Sequence, residues 1–332
     1  MMNGTFSRRG MLAGLGAAAL TPWLGAQTPA PARGLRVAYL TDMHIMDVPT
    51  LRSDEGIRFT LDHMMRQARP AELLITGGDN LTGTMGRRFE DAMAMRRRWE
   101  TAFRNQLKLP TLHCAGNHDH WGWNKATSAS TGTEALWGKA FARDMLQLDR
   151  LYYSVERGGW KIIVLDSVQP FENRYVGGID PEQFEWLKGE VAGNTPTVVV
   201  SHIPITGISP LVVDGATEDD GIRVPFGSIV QNMRDVVNLF DQRDNVKLVL
   251  GGHIHFEETV TFGGTTYLNG GAVSGAWWLT PTADSQRRAE RNPDAPRQLP
   301  RAQPGYSMLD LKADGTFTVE TVRTGWASAT SR

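Results

Sequence analysis

The sequence predicts an α/β fold in which two mixed β-sheets pack together and helices lie outside them. The first observation is a series of five short apolar runs, which are typical of strands buried on both faces. The second is a helix-like segment between most of these runs, an alternation that is typical of α/β folds. The third is a set of hairpin signals, which indicate additional antiparallel strands.

Polar, imidazole or carboxylate residues follow each apolar run at once. In chain order, the sequence reads RVAYL then TDMHI, ELLIT then GGDN, TLHCA then GNHDH, TVVVS then HIPI, and VKLVL then GGHIH. Ligands of open α/β sheets bind outside the carboxyl ends of the strands. If the five strands share one sheet, we therefore expect the five polar clusters to meet at one edge of it.

The helices and hairpins are predicted from periodicity and turn residues. Helices are expected over residues 53–68, 87–107, 180–191 and 228–240, and Asp180 and Pro181 are typical of a helix start. The hairpins are expected to turn at 158–159, 263–264 and 314–315. Two stretches, 121–133 and 277–304, have no clear pattern and are interpreted as surface loops. The second is rich in proline and arginine, which indicates a loop that is either functional or poorly ordered.

Composition bounds the classes of function. A chain of 332 residues can bury one large core or two smaller ones. The net charge of −1 gives no field that would attract nucleic acid or a membrane surface, so we expect neither as a partner. The single cysteine, Cys114, lies in an apolar run, and we interpret it as a small buried residue and not as a nucleophile.

The N-terminus is typical of an export signal. Arg8 and Arg9 precede an apolar run of small residues, GMLAGLGAAALTPWLGA, and resemble the twin-arginine class. We predict a signal and linker over 1–32, cleaved after Ala26 or Ala32, one domain over 33–325, and a tail over 326–332. The chain is then exported by the twin-arginine machinery to the periplasm or the exterior, without a later transmembrane segment. A retained N-terminal membrane anchor is the alternative.

The polar clusters contain three oxygen donors, five imidazoles and no thiolate. They are Asp42, His44, Asp79, Asn117, His118, His202, His253 and His255. This mixture suits Mn, Fe, Zn, Co or Ni better than Ca or Mg alone. A single catalytic zinc-like site usually has three protein ligands, so the number of groups favours two divalent or trivalent ions.

The same residues resemble the calcineurin-like metallophosphoesterase family. The family pattern is D-x-H, G-D, G-N-H-[DE], a lone H, and G-H-x-H, and all five blocks occur here in order over 42–255. The resemblance implies a two-sheet α/β/β/α sandwich. It also implies that Asp42, His44 and His255 hold one ion, that Asn117, His202 and His253 hold the second, and that Asp79 bridges them.

The catalytic candidates are His118 and Asp119. By the resemblance, His118 faces the scissile phosphate as proton donor or clamp, and Asp119 orients His118 or caps the next segment. We expect His120 to bind no ion and to be exposed to solvent. The chain departs from some relatives at Thr82, where the purple acid phosphatases have a tyrosine ligand, and at Ser201, which replaces a second histidine.

The expected reaction is hydrolysis of a small phosphoester by a hydroxide that the two ions activate. A phosphodiester is favoured over a phosphomonoester, because no motif block places Arg or Lys beside a ligand to match a dianion. The nearby pairs Trp121–Trp123 and Trp277–Trp278 have two open interpretations, core packing or contact with a ring-bearing substituent. Hydrolysis of another ester or an amide, or a non-catalytic metal-binding module, are the alternative functions.

Overall fold

The computed structural model of the chain describes residues 34–219, 221–279 and 301–326, together with the single positions 283, 286 and 290. The predicted export signal at 1–32 lies outside the described residues. So do most of the predicted loop at 277–304 and all but the first residue of the predicted tail.

The described part of the chain alternates strands and helices. The strands are β1 (Leu35–Leu40), β2 (Leu73–Thr76), β3 (Thr111–His113), β4 (Tyr153–Arg157), β5 (Trp160–Leu165), β6 (Val168–Phe171), β7 (Arg174–Gly177), β8 (Thr197–Ser201), β9 (Ala216–Glu218), β10 (Gly221–Arg223), β11 (Val246–Gly251), β12 (Glu258–Phe262), β13 (Thr265–Asn269), β14 (Gly305–Leu311) and β15 (Phe317–Arg323). The α-helices are α1 (Ser53–Met65), α2 (Phe89–Ala102), α3 (Lys125–Ser128), α4 (Lys139–Leu146), α5 (Pro181–Glu190), α6 (Ser209–Asp214) and α7 (Met233–Asp241).

Two mixed sheets form the centre of the fold. The first has five strands in the order β15-β14-β1-β2-β3, in which β1, β2 and β3 are parallel and β14 and β15 are antiparallel to their neighbours. The second has six strands in the order β12-β13-β11-β8-β5-β4, with four parallel central strands and an antiparallel strand at each edge. Two short hairpins, β6-β7 and β9-β10, lie outside these sheets.

Alternating residues of each strand face different layers. On β1, Val37 and Tyr39 pack with Val198 and Leu250 of the second sheet, so one core lies between the sheets. Ala38 and Leu40 point the other way, into a second core that α1 and α2 cover. A third core joins the outer face of the second sheet to α5 and α7. The layers are therefore α/β/β/α, as the family resemblance predicts.

The condition that all five motif strands share one sheet is not met, whereas the prediction of two packed sheets is confirmed. β1, β2 and β3 belong to the first sheet, whereas β8 and β11 belong to the second. The residue pattern could not distinguish the two cases. A strand covered by a second sheet on one face and by helices on the other is as apolar as a strand covered by helices on both faces.

The predicted helices and hairpins are present, with shifted ends. The four predicted helices correspond to α1, α2, α5 and α7, and the side chain of Asp180 caps α5 by accepting a hydrogen bond from the Gln183 N–H (3.0 Å). The three predicted turns join β4 to β5, β12 to β13, and β14 to β15. The prediction of a surface loop at 121–133 is wrong in part, because α3 interrupts it and Trp121 and Trp123 are both 3% exposed.

Candidate metal centre

The predicted ligands lie where strands of both sheets end. Asp42 and His44 follow β1, Asp79 follows β2, Asn117 follows β3, His202 follows β8, and His253 and His255 follow β11. The Asp42 N–H donates to the carbonyl of Gly78 (3.0 Å), which ties the end of β1 to that of β2. An isolated bridge between Thr41 and Ala272 joins β1 to the segment after β13. The two sheets therefore bring their carboxyl ends to one place.

Side chains at this edge form three overlapping groups that could each hold an ion. Within each group the ligand atoms lie within 4.8 Å of one another. The groups are Asp42 with His44 and His255, His44 with Asp79 and His118, and Asp79 with His202 and His253. Asn117 joins the third group, because its Oδ1 lies 3.0 Å from His202 Nε2.

Asp79 lies between the two predicted ion positions. One of its oxygens, Oδ2, is 3.5 Å from His44 Nε2 and 3.3 Å from His202 Nε2. The same carboxylate therefore contacts a predicted ligand of each ion. This is the placement that a bridging carboxylate requires.

The contacts of the imidazoles fit a bound cation. His255 Nδ1 lies 2.7 Å from the carbonyl of Gly275, and His202 Nδ1 lies 2.8 Å from that of Gly77. A carbonyl only accepts, so Nδ1 carries the hydrogen and the Nε2 lone pair of the neutral ring points into the centre. His44 Nε2 and His255 Nε2 are 3.0 Å apart. Both nitrogens are therefore close enough to bind one ion together with Asp42, so the residues fit metal ions.

Hydrogen bonds from neighbouring groups orient both carboxylates. Thr41 Oγ1 donates to Asp42 Oδ2 (2.7 Å), and the His118 N–H donates to Asp79 Oδ1 (2.8 Å). Gly116 allows this approach, because a Cβ there would collide with the Asp79 carboxylate. Such outer partners hold a ligand in its binding orientation.

The carboxylates and imidazoles shift one another's pKa values. Burial raises the pKa of Asp42, but the charge of His255 and the hydrogen bonds from His255 and His44 outweigh burial and hold it well below its usual value. Burial lowers the pKa of His202, but the negative charge of Asp79 outweighs burial and raises it to about 9. Both carboxylates are therefore anionic at neutral pH. A metal ion at His202 Nε2 would take the place of a proton.

His118 turns its proton-bearing nitrogen towards the centre. The Gly83 N–H donates to His118 Nδ1 (2.7 Å), so Nδ1 is an acceptor and the neutral ring carries its hydrogen on Nε2. That Nε2 is 4.0 Å from Asp79 Oδ2. His118 is thus placed to donate to an oxygen of a molecule bound beside Asp79. Its place in the second group also allows metal binding, so its role stays a prediction.

Asp119 and His120 differ from their predicted surroundings. Asp119 is fully buried and accepts from the N–H groups of Gly116 (2.9 Å) and Leu81 (3.0 Å) and from Asn80 Nδ2 (3.0 Å). It caps the 3-10 turn Asn117–Asp119 and joins the loops after β2 and β3. The prediction that His120 is exposed is wrong, since it is fully buried and stacks on Trp123 at a centroid distance of 4.5 Å.

Known proteins with the same pattern identify the family. A family model described as calcineurin-like phosphoesterase matches residues 35–257. That match spans two thirds of the chain and includes every predicted ligand.

The chain belongs to the calcineurin-like phosphoesterase family.

Individual relatives agree with this assignment. The chain is 25% identical over 297 residues to a 3′,5′-cyclic-nucleotide phosphodiesterase of Nostoc sp., which covers 87% of this chain and 92% of the relative. It is 25% identical over 242 residues to a probable cyclic nucleotide phosphodiesterase of Synechococcus sp., covering 71% and 80%. Among solved structures, a dimetal phosphatase of Danio rerio has a TM-score of 0.57 at 13% identity, covering 88% of this chain and 97% of that one. The structural likeness supports the fold.

This phosphoesterase is a metal-dependent phosphoric ester hydrolase. Two metal ions, when bound, supply an activated water and neutralise charge on the phosphoryl oxygens. The structure places the predicted ligand atoms at the ends of strands and His118 Nε2 beside them, and their roles as ligands and proton donor stay predictions. The family supports phosphoester hydrolysis over the amide, carboxylic-ester and non-catalytic alternatives.

Two aromatic side chains at the centre of the phosphoesterase complete its walls. The ring of Trp277 stacks on His44 at a centroid distance of 4.1 Å, which places it at the centre. Its contact with a substrate substituent stays a prediction. Tyr175, on β7, meets His253 edge-on at 6.0 Å. Sequence reasoning missed Tyr175, because β7 carries no motif. Trp121, Trp123 and Trp278 are buried packing residues.

Proposed function

We propose that the chain hydrolyses a phosphodiester, and that 3′,5′-cyclic nucleotides are the substrate class it fits best. The observation that carries the proposal is the charge around the two carboxylates. Among the described residues, each side chain within ion-pair distance of Asp42 or Asp79 is a histidine. Two ions and His118 match the single negative charge of a diester, whereas a monoester dianion would gain from a further cation.

The basic residues nearest in sequence are held by other groups. Arg87 Nε donates to the carbonyl of Thr82 (3.2 Å). Lys125 Nζ lies over the ring of Trp137 at 5.4 Å, and Arg88 lines a separate cavity beside Trp121. These contacts hold the three residues away from a role as cationic clamp, as far as the described part of the chain extends. The names of the relatives, cyclic nucleotide phosphodiesterases, point to the same substrate class.

The test compares substrates at one metal loading. We expect the ratio of kcat/KM for bis(p-nitrophenyl) phosphate to that for p-nitrophenyl phosphate to exceed one, and 3′,5′-cyclic AMP to be turned over. A 2′,3′-cyclic nucleotide serves as the matched substrate with the same base and charge. A clear preference for the monoester, with no turnover of either cyclic nucleotide, would overturn the proposal.

The native ions in this proposal are borderline metals, Mn, Fe, Zn, Co or Ni, in a pair. The donor set supports this, because imidazoles outnumber carboxylates at the centre. Elemental analysis of the purified protein should give two such ions per chain. A content of one ion, or Ca or Mg in both positions, would contradict it.

The proposed location is outside the cytoplasm, reached through the twin-arginine route. It rests on Arg8 and Arg9 and the apolar run after them. None of the helices in the described part of the chain is long and apolar enough to cross a membrane. Replacement of both arginines by lysine should retain the precursor in the cytoplasm. Unchanged export of that double variant would argue for the general secretory route.

A further inference from the structure

Backbone strain at this centre extends to a residue outside the ligand set. Most of the non-glycine residues with positive φ in the described ranges belong to the centre or adjoin it: Asp42, His44, Asp79, His253, His255, Trp277 and Trp278. The two tryptophans have φ of 62° and 66°. A bulky residue in the left-handed region costs about 1–2 kcal/mol. Strained backbone of this kind is often found at functional sites. Trp277 shares this strain with the predicted ligands.

Trp278 anchors this strained pair to the first-ion loop. Its Nε1 donates to the carbonyls of Met43 (3.1 Å) and His44 (3.0 Å). Its ring is 2% exposed and lies against Gly56 of α1, where a Cβ would collide with it. Because these contacts fix Trp278, they also restrict the orientation of the preceding residue, Trp277.

The half-buried ring of Trp277 has one face against the histidines. It is nearly parallel to His44 (4.1 Å, 17°) and to His255 (5.7 Å, 23°). The centroids of His44 and His255 are only 4.9 Å apart, so both imidazoles lie on the same side of the indole. Among the described residues, no ring contact is recorded on the opposite face, which we call the outer face of Trp277.

His118 places this ring beside the reacting group. The Trp277 and His118 centroids are 5.2 Å apart and the rings are nearly perpendicular (84°). A phosphoester that accepts a hydrogen bond from His118 Nε2 therefore has the indole within the reach of its substituent.

We infer that Trp277 determines specificity by stacking its outer face on a flat ring of the substrate, such as a nucleobase or an aryl group. The inference rests on the proposed function, because a diester carries a second substituent that can bear this ring. Stacking of a base on an aromatic side chain typically changes affinity by about tenfold. The remaining substituent of a small alkyl ester has no such face and gains nothing from the indole.

The test uses two esters with the same leaving group. Bis(p-nitrophenyl) phosphate and methyl p-nitrophenyl phosphate differ in whether the retained substituent is a ring. In Trp277→Leu, we expect KM for the bis-aryl ester to rise about tenfold relative to KM for the methyl ester, while any change in kcat is shared by both. Trp277→Phe keeps a flat ring and should retain most of the difference. Equal changes for both esters in Trp277→Leu would overturn the inference.

An inhibitor pair makes the test independent of substrate class. Phenylphosphonate and methylphosphonate are compared as competitive inhibitors against whichever p-nitrophenyl ester is turned over. The preference for the phenyl compound should fall about tenfold in Trp277→Leu and persist in Trp277→Phe. A wild-type protein that prefers the monoester but shows this pattern would contradict only the proposed function. An unchanged preference in Trp277→Leu would contradict only the inference.

Discussion

Replacement of Asp119 should destabilise the phosphoesterase more than replacement of any exposed aspartate. The carboxylate is fully buried and accepts three hydrogen bonds, from Gly116 N–H, Leu81 N–H and Asn80 Nδ2. Asp119→Ala leaves all three donors without this acceptor. Each buried donor left unpaired costs about 1–3 kcal/mol, and allowing for partial entry of water we expect a loss of about 3–6 kcal/mol.

Asp119→Asn should cost less, because it preserves the shape. Its remaining oxygen can still accept from the Leu81 N–H. The Asn80 amide can rotate so that its oxygen, which is buried without a partner, accepts from the new amide. The Gly116 N–H and Asn80 Nδ2 then lose their acceptor while the Asn80 oxygen gains a partner, and the net loss is about 1–3 kcal/mol.

The assay is urea unfolding at neutral pH and fixed metal concentration, with ion content measured on each variant. Asp62→Ala is the control, because the Asp62 side chain is 72% exposed and its carboxylate lies 3.9 Å from the guanidinium of Arg66, whose side chain is 82% exposed. It should change stability by less than about 0.5 kcal/mol. A loss below about 1 kcal/mol in Asp119→Ala would refute the account of the three hydrogen bonds. Normal stability in Asp119→Asn, combined with a loss of activity limited to poor leaving groups, would instead support the predicted role of orienting His118.

Four further substitutions test the centre and the core. Asp79→Asn should lower the content of both ions, whereas His44→Ala should mainly empty the first position; elemental analysis that finds two ions in Asp79→Asn would exclude the bridge. His118→Ala should slow alkoxide leaving groups by about 10²–10⁴-fold and p-nitrophenolate little, with ion content unchanged; an equal loss for both, or a loss of metal, would exclude the proton donor. Burial, with a smaller effect of Arg104, lowers the pKa of His113 from 6.5 to about 4, so protons bind the unfolded chain more tightly and stability falls as pH decreases from 6.5 towards 4. Between pH 7 and pH 5, the free energy of unfolding of His113→Gln should therefore fall by about 2 kcal/mol less than that of the wild type. If the urea midpoints of both proteins shift equally over this range, His113 is not a buried, neutral histidine.

The predicted ligands could be found from the sequence because each is tied to a strand end. Residues such as Asp42 and His202 closely follow an apolar run. The carboxyl ends of strands in α/β sheets lie at one edge, which is where ligands bind. The two residues of a D-x-H or H-x-H pair are separated by only one residue of the chain, so they stay close together in any fold. The ligands still meet although the motif strands are divided between two sheets, since both sheets turn the carboxyl ends of these strands towards the centre.

The contacts made by His120 and Asp119 depend on segments far away in sequence. His120 is fully buried and stacks on the nearby Trp123, and the more distant Lys139 is close enough for its charge to help burial lower the pKa of His120 to about 3. Asp119 binds Leu81 and Asn80, which lie on the loop after β2. The sequence analysis could use only the positions of Asp119 and His120 next to His118, so it could not predict these contacts.

The sequence by itself determined the α/β class, the helices and hairpins, and the eight candidate ligand and donor side chains, because local periodicity and strand-end chemistry act over a few residues. Only the tertiary structure decided which strands belong to which sheet, the contact of Asp79 with histidines of both groups, and the stacking of Trp277 on His44. These depend on which faces pack together. Which faces pack together depends on how the whole chain buries its apolar surface. No single position in the sequence reveals it.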